Sequence, residues 1–223
     1  VRQQQRNERL TAMINVELID SMGSDLTVVN AARVSFNKKS GWDYDYKLKV
    51  DDALLISYLA RHKHMSPFGH CFVSFHVKAP IFVARQLVKH KFLRWNEISR
   101  RYVDEEPEFY EPNEWRGRAK DKKQGSEGVV DIGDWKDANW VSLETYKELL
   151  NYGVAPEQAR MVLPQSTMTE WYWSGSLDAW SDMCKLRLKE DTQYETRVVA
   201  MGIDKHMDTL YPDSWAALKA YNT

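Results

Sequence analysis

One stretch of the chain crowds together side chains that could do chemistry: KHKFLRWNEISRRY, residues 89–102. Lys89, His90, Lys91, Arg94, Arg100 and Arg101 surround an amide, a carboxylate and a hydroxyl, those of Asn96, Glu97 and Ser99. Converging cations suit phosphate or carboxylate oxygens, and the planar Arg fork suits them best. The polar trio could then orient the rest of such a ligand. The plainer reading is a solvated helix end, where the dipole favours cations. On pattern alone both readings stand.

Other chemistries fit less well. His62, His64 and His70 invite a metal, but no acidic or thiol partner has the spacing of a closed zinc site, and Lys63 separates the first pair. No metal is expected, and a polar loop that touches a ligand is the better reading. Cys71 falls on the apolar side of an alternating segment and Cys184 beside Trp180 and Leu188 on a helical one, so both read as small core residues rather than nucleophiles. Ser99 has no paired base and orienting acid in sequence reach. Trp171, Tyr172 and Trp173 read as core or subunit interface rather than a base-stacking platform.

These groups need elements to hold them. Val16–Ile19 reads as a short strand, and residues 25–36 and 50–61 as helices. Pro67 and Gly69 break the second pattern. Residues 71–78 alternate as a half-buried strand, with Cys71, Val73, Phe75 and Val77 on one side. Pro80 opens a helix expected from Ile81 to about Phe92, which would carry Arg85, Gln86, Lys89 and His90 along one polar edge. Residues 104–138, rich in Glu, Asp, Lys and Gly, read as a long surface insertion in one domain spanning 1–223. Helices follow at 141–152, closed by Gly153, and at 156–162. A strand follows at 166–174, then helices at 177–188, 193–207 and 213–221. Strands are few and do not alternate regularly with helices. The fold class is therefore α+β, a small antiparallel sheet packed with helices. There is no G-x-G-x-x-G and no G-x-x-x-x-G-K loop, so side chains would have to hold any nucleotide.

Composition sets the outer limits. The 223 residues are 43% hydrophobic and 28% charged with a formal net charge of −1, so a positive site must be local. Two cysteines without a pairing motif favour a reduced, intracellular setting. No apolar run approaches the ~18 residues of a membrane span. The first ten residues are polar and read as a loosely held arm.

The stretch resembles the signature of the flavin-dependent thymidylate synthases, Arg-His-Arg, seven residues, Ser: here Lys89-His90-Lys91 precedes seven residues and Ser99, and NEISRRY fits Asn-Glu-x-Ser-x-Arg-Tyr. AARVSF (31–36), HMSPFGH (64–70), FHVKAPIFVARQ (75–86), ARMVLP (159–164), and LRL (186–188) with Gln193 and Glu195 are similar to that family in order. The resemblance implies a homotetramer with active sites where subunits meet, each holding FAD against dUMP. It implies reductive methylation of dUMP to dTMP, with methylenetetrahydrofolate as carbon donor, NADPH as reductant of the flavin, and no attacking cysteine. A cytoplasmic protein follows, in the host cytoplasm for a viral source, with no membrane and no nucleic acid as partner.

By the same resemblance Gln86, Glu97, Ser99, Arg101 and Arg160 match dUMP-binding positions, with Lys89 and Tyr102 beside them. Arg187 matches the arginine that contacts the uracil and helps ionise it, and with Ser99 and Glu97 forms the catalytic set. Ser66, Lys89, His90, Lys91, Asn96 and Glu97 match positions near FAD, and His64 a flavin-side histidine. The chain also departs from the family. Lysines replace both signature arginines, Ser176 and Asp182 stand where relatives carry asparagines near the adenine, and Asp191 where histidine is common. These changes lie on the cofactor side, so altered or weaker FAD binding is expected with the pyrimidine side intact. Two other readings stay open: a related flavin- and folate-dependent reaction (hydroxymethylation, or a dCMP substrate), and a non-catalytic nucleotide- or RNA-binding protein.

Overall fold

The computed structural model of the chain describes residues 13–102, 105–120, 125–132 and 138–221. The N-terminal arm lies outside them, as does part of the 104–138 stretch.

The centre is a four-stranded antiparallel sheet. Its strands are β1 (Asn15–Met22), β2 (Phe72–Pro80), β3 (Arg94–Glu97) and β6 (Met168–Ser176), in the order β1-β2-β6-β3. β2 and β6 pair over their whole length, from Phe72 opposite Ser176 to Pro80 opposite Met168. The period-two alternation survives in three dimensions. Val73, Phe75, Val77, Trp171 and Trp173 are buried on one face, while His76, Lys78, Glu170 and Tyr172 stand on the other. A short hairpin, β4 (Arg116–Arg118) with β5 (Ser126–Val129), lies apart from this sheet.

The helices are α1 (Asp25–Arg33), α2 (Val50–Arg61), α3 (Ile81–Leu87), α4 (Ala138–Asn151), α5 (Pro156–Ala159), α6 (Leu177–Arg187), α7 (Tyr194–Leu210) and α8 (Pro212–Tyr221). Residues of α1, α2, α3, α6, α7 and α8 join the apolar sheet face in one core. Trp180 of α6 closes it by donating its indole N–H to the Val73 and Gly175 carbonyls, at 3.3 and 3.1 Å. Buried Asp25 ties the first helix to the last by accepting the Ser214 backbone N–H at 2.8 Å and that of Asp213 at 3.2 Å. The expected α+β class with a small antiparallel sheet is what the chain adopts. Among the described residues no helix is long and apolar enough to cross a membrane.

Two expectations need correction, and both bear on the site. The helix from Ile81 stops at Leu87 rather than near Phe92. The chain then turns, with the N–H of His90 bonded to the Leu87 carbonyl at 3.1 Å and that of Leu93 to the His90 carbonyl at 3.2 Å. It enters β3, a strand that the periodicity did not disclose. Pairing decides the outcome: Trp95 lies opposite Trp173 in register and stacks on Trp171 with ring centres 4.3 Å apart. Leu93 is buried at the turn against Gly175, where any Cβ would stand 2.3 Å from Leu93 Cδ2.

The 104–138 stretch is not all surface. Phe109 is fully buried against Leu143 and the partly buried Leu163, and bridges to Thr167 just before β6. The N–H of Met168 bonds to the Glu108 carbonyl at 2.8 Å, and Lys78 pairs with the Glu108 carboxylate at 2.7 Å. An acidic, glycine-bearing composition hid one aromatic anchor.

Candidate active site

A cavity of about 1000 Å³ opens where α3, the end of α6, the start of α7 and residues 110–116 and 125–126 meet. Gln86 and Lys89 reach it from α3 and the turn beyond, and Arg187 from the last turn of α6. Arg187 there faces the negative end of its helix dipole. Gln193 and Glu195 come from the start of α7, and Tyr110, Trp115 and Arg116 close the far wall.

The polar groups are interlocked. The Arg187 Nε–H donates to His90 Nε2 at 3.1 Å, and its Nη2 to the Gln86 carbonyl at 3.0 Å. The Gln86 side-chain oxygen accepts the Thr196 hydroxyl at 3.2 Å, and its amide N–H donates to the Gln193 side-chain oxygen. Arg116 donates Nη2 to Glu195 Oε1 at 2.5 Å and Nε to the Ser126 hydroxyl at 3.0 Å, and its guanidinium lies over the Tyr194 ring, 4.7 Å from the centroid. The Tyr110 hydroxyl donates to the same Glu195 oxygen at 3.4 Å, and the other oxygen of Glu195 has no hydrogen-bond partner among the described residues.

Burial and neighbours tune these groups. Burial, and then the Arg187 guanidinium, press the His90 imidazole from 6.5 to about 4, against a smaller opposing pull from Asp182. Burial alone draws Arg187 below its usual value. Burial, and then Glu195, push the Tyr110 hydroxyl up to about 12. Lys89 and Lys91 have no hydrogen-bond or ion-pair partner among the described residues, which leaves ammonium donors available to anionic oxygens.

The sequence-derived candidates fall into separate groups. Gln86, Lys89 and Arg187 share the cavity, with His90 directly behind Arg187. Glu97, Ser99, Arg101 and Tyr102 do not line it. They follow β3: Glu97 accepts the Thr169 hydroxyl at 2.7 Å and the Trp95 indole N–H at 3.2 Å, and the Ser99 hydroxyl accepts the Arg101 Nε–H at 3.3 Å. The Arg101 guanidinium sits over the exposed Tyr102 ring at 5.1 Å. Arg160 lies after α5, bonded to the Glu157 carbonyl at 3.3 Å. Asn96 is exposed on β3, and Lys91 is exposed in the turn. His64 and Ser66 lie beyond α2, where the His64 ring meets those of Tyr58 and His62 at 6.0 and 6.3 Å. Ser176 is the residue before α6 but makes no side-chain cap, and Asp182 lies on the exposed side of that helix. Among the described residues no group of three His, Cys, Asp or Glu could hold a metal ion.

Tyr110, Trp115, Arg116 and Thr196 went unread in the sequence. Of the other polar lining residues from α7, Gln193 and Glu195 carried a signal, through the family resemblance of the block that begins with LRL. Both cysteines are buried, with Cys71 pushed up to about 12 by burial and then Asp25, and Cys184 raised by burial.

Residues 17–213 match the family described as thymidylate synthase complementing protein. A flavin-dependent thymidylate synthase from Thermus thermophilus is 42% identical over 210 residues, which is 92% of this chain and 76% of that protein. One from Thermotoga neapolitana is 39% identical over 208 residues, covering 92% and 91%. In solved structures, the UMP/dUMP methylase PolB from Streptomyces cacaoi bound with 5-Br dUMP has a TM-score of 0.80 at 35% identity, covering 96% of this chain and 97% of that one. The same methylase bound with 5-Br UMP gives 0.81 at 33%, covering 96% of each. With its small sheet, its cation-lined cavity and these relatives, the chain belongs to the flavin-dependent thymidylate synthase family and is an enzyme of methyltransferase type.

Proposed function

We propose that the protein converts dUMP to dTMP, taking the one-carbon unit from methylenetetrahydrofolate and using FAD reduced by NADPH. The observation that carries this reading is the convergence of Arg187, Gln86 and Lys89 on one cavity, with the Arg187 guanidinium held by two acceptors. A fixed guanidinium beside a pyrimidine ring stabilises the negative charge that builds when the ring acts as a nucleophile. Lys89 meets phosphate oxygens as a point charge. The donor set fits a flavin dinucleotide, because Lys89 and Lys91 are uncommitted cations. With Asn96, His64 and Ser66 they would hold it, and when bound it supplies hydride chemistry.

The cysteines support a route without a thiol nucleophile. A thiol raised this far by burial is protonated at neutral pH and closed to substrate. The separation of Glu97, Ser99, Arg101 and Arg160 from the cavity of the same chain supports a site completed by a neighbouring subunit, as in a homotetramer.

The test is direct. Purified protein incubated with dUMP, methylenetetrahydrofolate, NADPH and FAD yields dTMP, identified by mass; folded protein that forms none overturns the proposal. UMP belongs in the same experiment, because the solved relative with a TM-score of 0.80 is named a UMP/dUMP methylase. Methylated UMP would widen the substrate to both sugars.

A further inference from the structure

We infer that His90 is a positioning residue that aims Arg187 into the cavity by accepting its Nε–H. Sequence resemblance places His90 beside the flavin, but the geometry gives its Nε2 another task. That nitrogen lies 3.1 Å from Arg187 Nε and is the acceptor, since a guanidinium N–H can only donate. With the Gln86 carbonyl taking Nη2 at 3.0 Å, two of the three guanidinium nitrogens are fixed from behind. Nη1 is left for whatever enters the cavity.

The acceptor is itself held in place. The backbone of His90 is bonded on both sides, to the Leu87 carbonyl at 3.1 Å and from the Leu93 N–H at 3.2 Å. Its ring packs near Trp173, with centroids 6.3 Å apart. Leu87, Leu93 and Trp173 are all buried, so the imidazole rides on core rather than on a loose loop. The charged groups that bear on the ring, Arg187 and Asp182, both come from α6, and the cation is the stronger influence. The imidazole is therefore neutral, with its proton on Nδ1. A lysine or arginine at position 90 would supply another donor where an acceptor is needed. This explains why the central residue of a Lys-His-Lys triplet is the one that is not a permanent cation.

Only the kinetic part of the test rests on the proposed reaction. Nitrogen-15 spectra of the full-length protein at pH 7 should show His90 protonated at Nδ1 and bare at Nε2, and an Arg187 Nε–H protected from solvent exchange. A proton on Nε2, or rapid exchange of the Arg187 Nε–H, overturns the inference without any variant. His90→Leu should remove the protection and lower kcat for dTMP formation by roughly ten- to a hundredfold, the range for one hydrogen bond to a charged group. His90→Gln keeps an oxygen near the place of Nε2 and should recover most of that loss. If folded His90→Gln is as impaired as His90→Leu, or if His90→Leu keeps both protection and kcat, His90 does not position Arg187. Should wild-type protein make no dTMP, the proposed reaction fails while the spectra still decide the role of His90.

Discussion

Arg116 and Glu195 stand 79 residues apart in sequence, yet Nη2 of the first lies 2.5 Å from Oε1 of the second. The carboxylate is nearly out of solvent, with Glu195 only 3% exposed, and the arginine comes from the segment that read in the sequence as a surface insertion. The pair fastens the β4–β5 hairpin to the start of α7, and so forms one wall of the cavity.

Removing Arg116 leaves the buried Glu195 carboxylate without its counter-charge, with only the longer Tyr110 hydrogen bond. Arg116→Met should destabilise the fold by about 3 kcal/mol, read from urea unfolding at pH 7. The double variant with Glu195→Gln should regain much of that loss. Additive losses would mean that the two side chains act independently.

Gly175 carries the turn that bears the basic cluster. Gly175→Ala would drive a methyl group into Leu93, with a predicted cost of about 1–3 kcal/mol. Because Leu93 anchors the chain between His90 and β3, dUMP affinity should fall with stability. Gly175→Ala combined with Leu93→Ala opens the space and should recover stability; no recovery argues against this contact as the cause.

The imidazole of His90 gives a signed pH dependence. Its proton is taken up near 6.5 in an unfolded chain but only near 4 in the fold, so protons favour unfolding. The neutral ring's contribution is fully present above about pH 6.5 and is lost as pH falls towards 4. Melting temperatures of wild type and His90→Gln should therefore converge as pH drops through that window, with the variant flatter. Parallel curves would show that His90 does not titrate this way.

The proposed route needs neither thiol for turnover. Cys71→Ala with Cys184→Ala should still form dTMP, with a stability loss of about 1–2 kcal/mol from the two small vacancies. A thiol reagent should label native protein slowly and urea-unfolded protein at once. Loss of all turnover in a folded double variant would put a cysteine into the reaction.

Lys89 and Lys91 keep the charge of the family signature without its fork. Lys89→Arg with Lys91→Arg should tighten FAD by about tenfold in Kd, ~1.4 kcal/mol, measured by quenching of flavin fluorescence. Unchanged or weaker binding would mean that the pocket has adapted to ammonium groups.

Much of this architecture could be read from residue patterns. The alternation in 71–78 and 166–174 produced the two central strands, and Pro80, Gly153 and the apolar spacings placed most helices near their observed ends. β3 was missed because its four residues, Arg94–Glu97, carry no alternation that outweighs the helical pattern before them. It exists because Trp95 has tryptophans to meet on β6, a long-range fact that no local window contains. The same limit applies to the site. Gln86, Lys89 and Arg187 could be named from motifs, but Tyr110 and Arg116 become cavity walls only once Phe109 is buried and Arg116 meets Glu195.

The position of β3 at the rim of its sheet has a consequence for solubility. Its outer edge has no strand partner among the described residues, and an open edge is a template for pairing with any extended chain. Four residues are too few to recruit a long partner, and Arg94 and Glu97 place opposite charges at its two ends. These charges thus guard the edge against edge-to-edge pairing, so apolar replacements there would endanger the folded protein in concentrated solution.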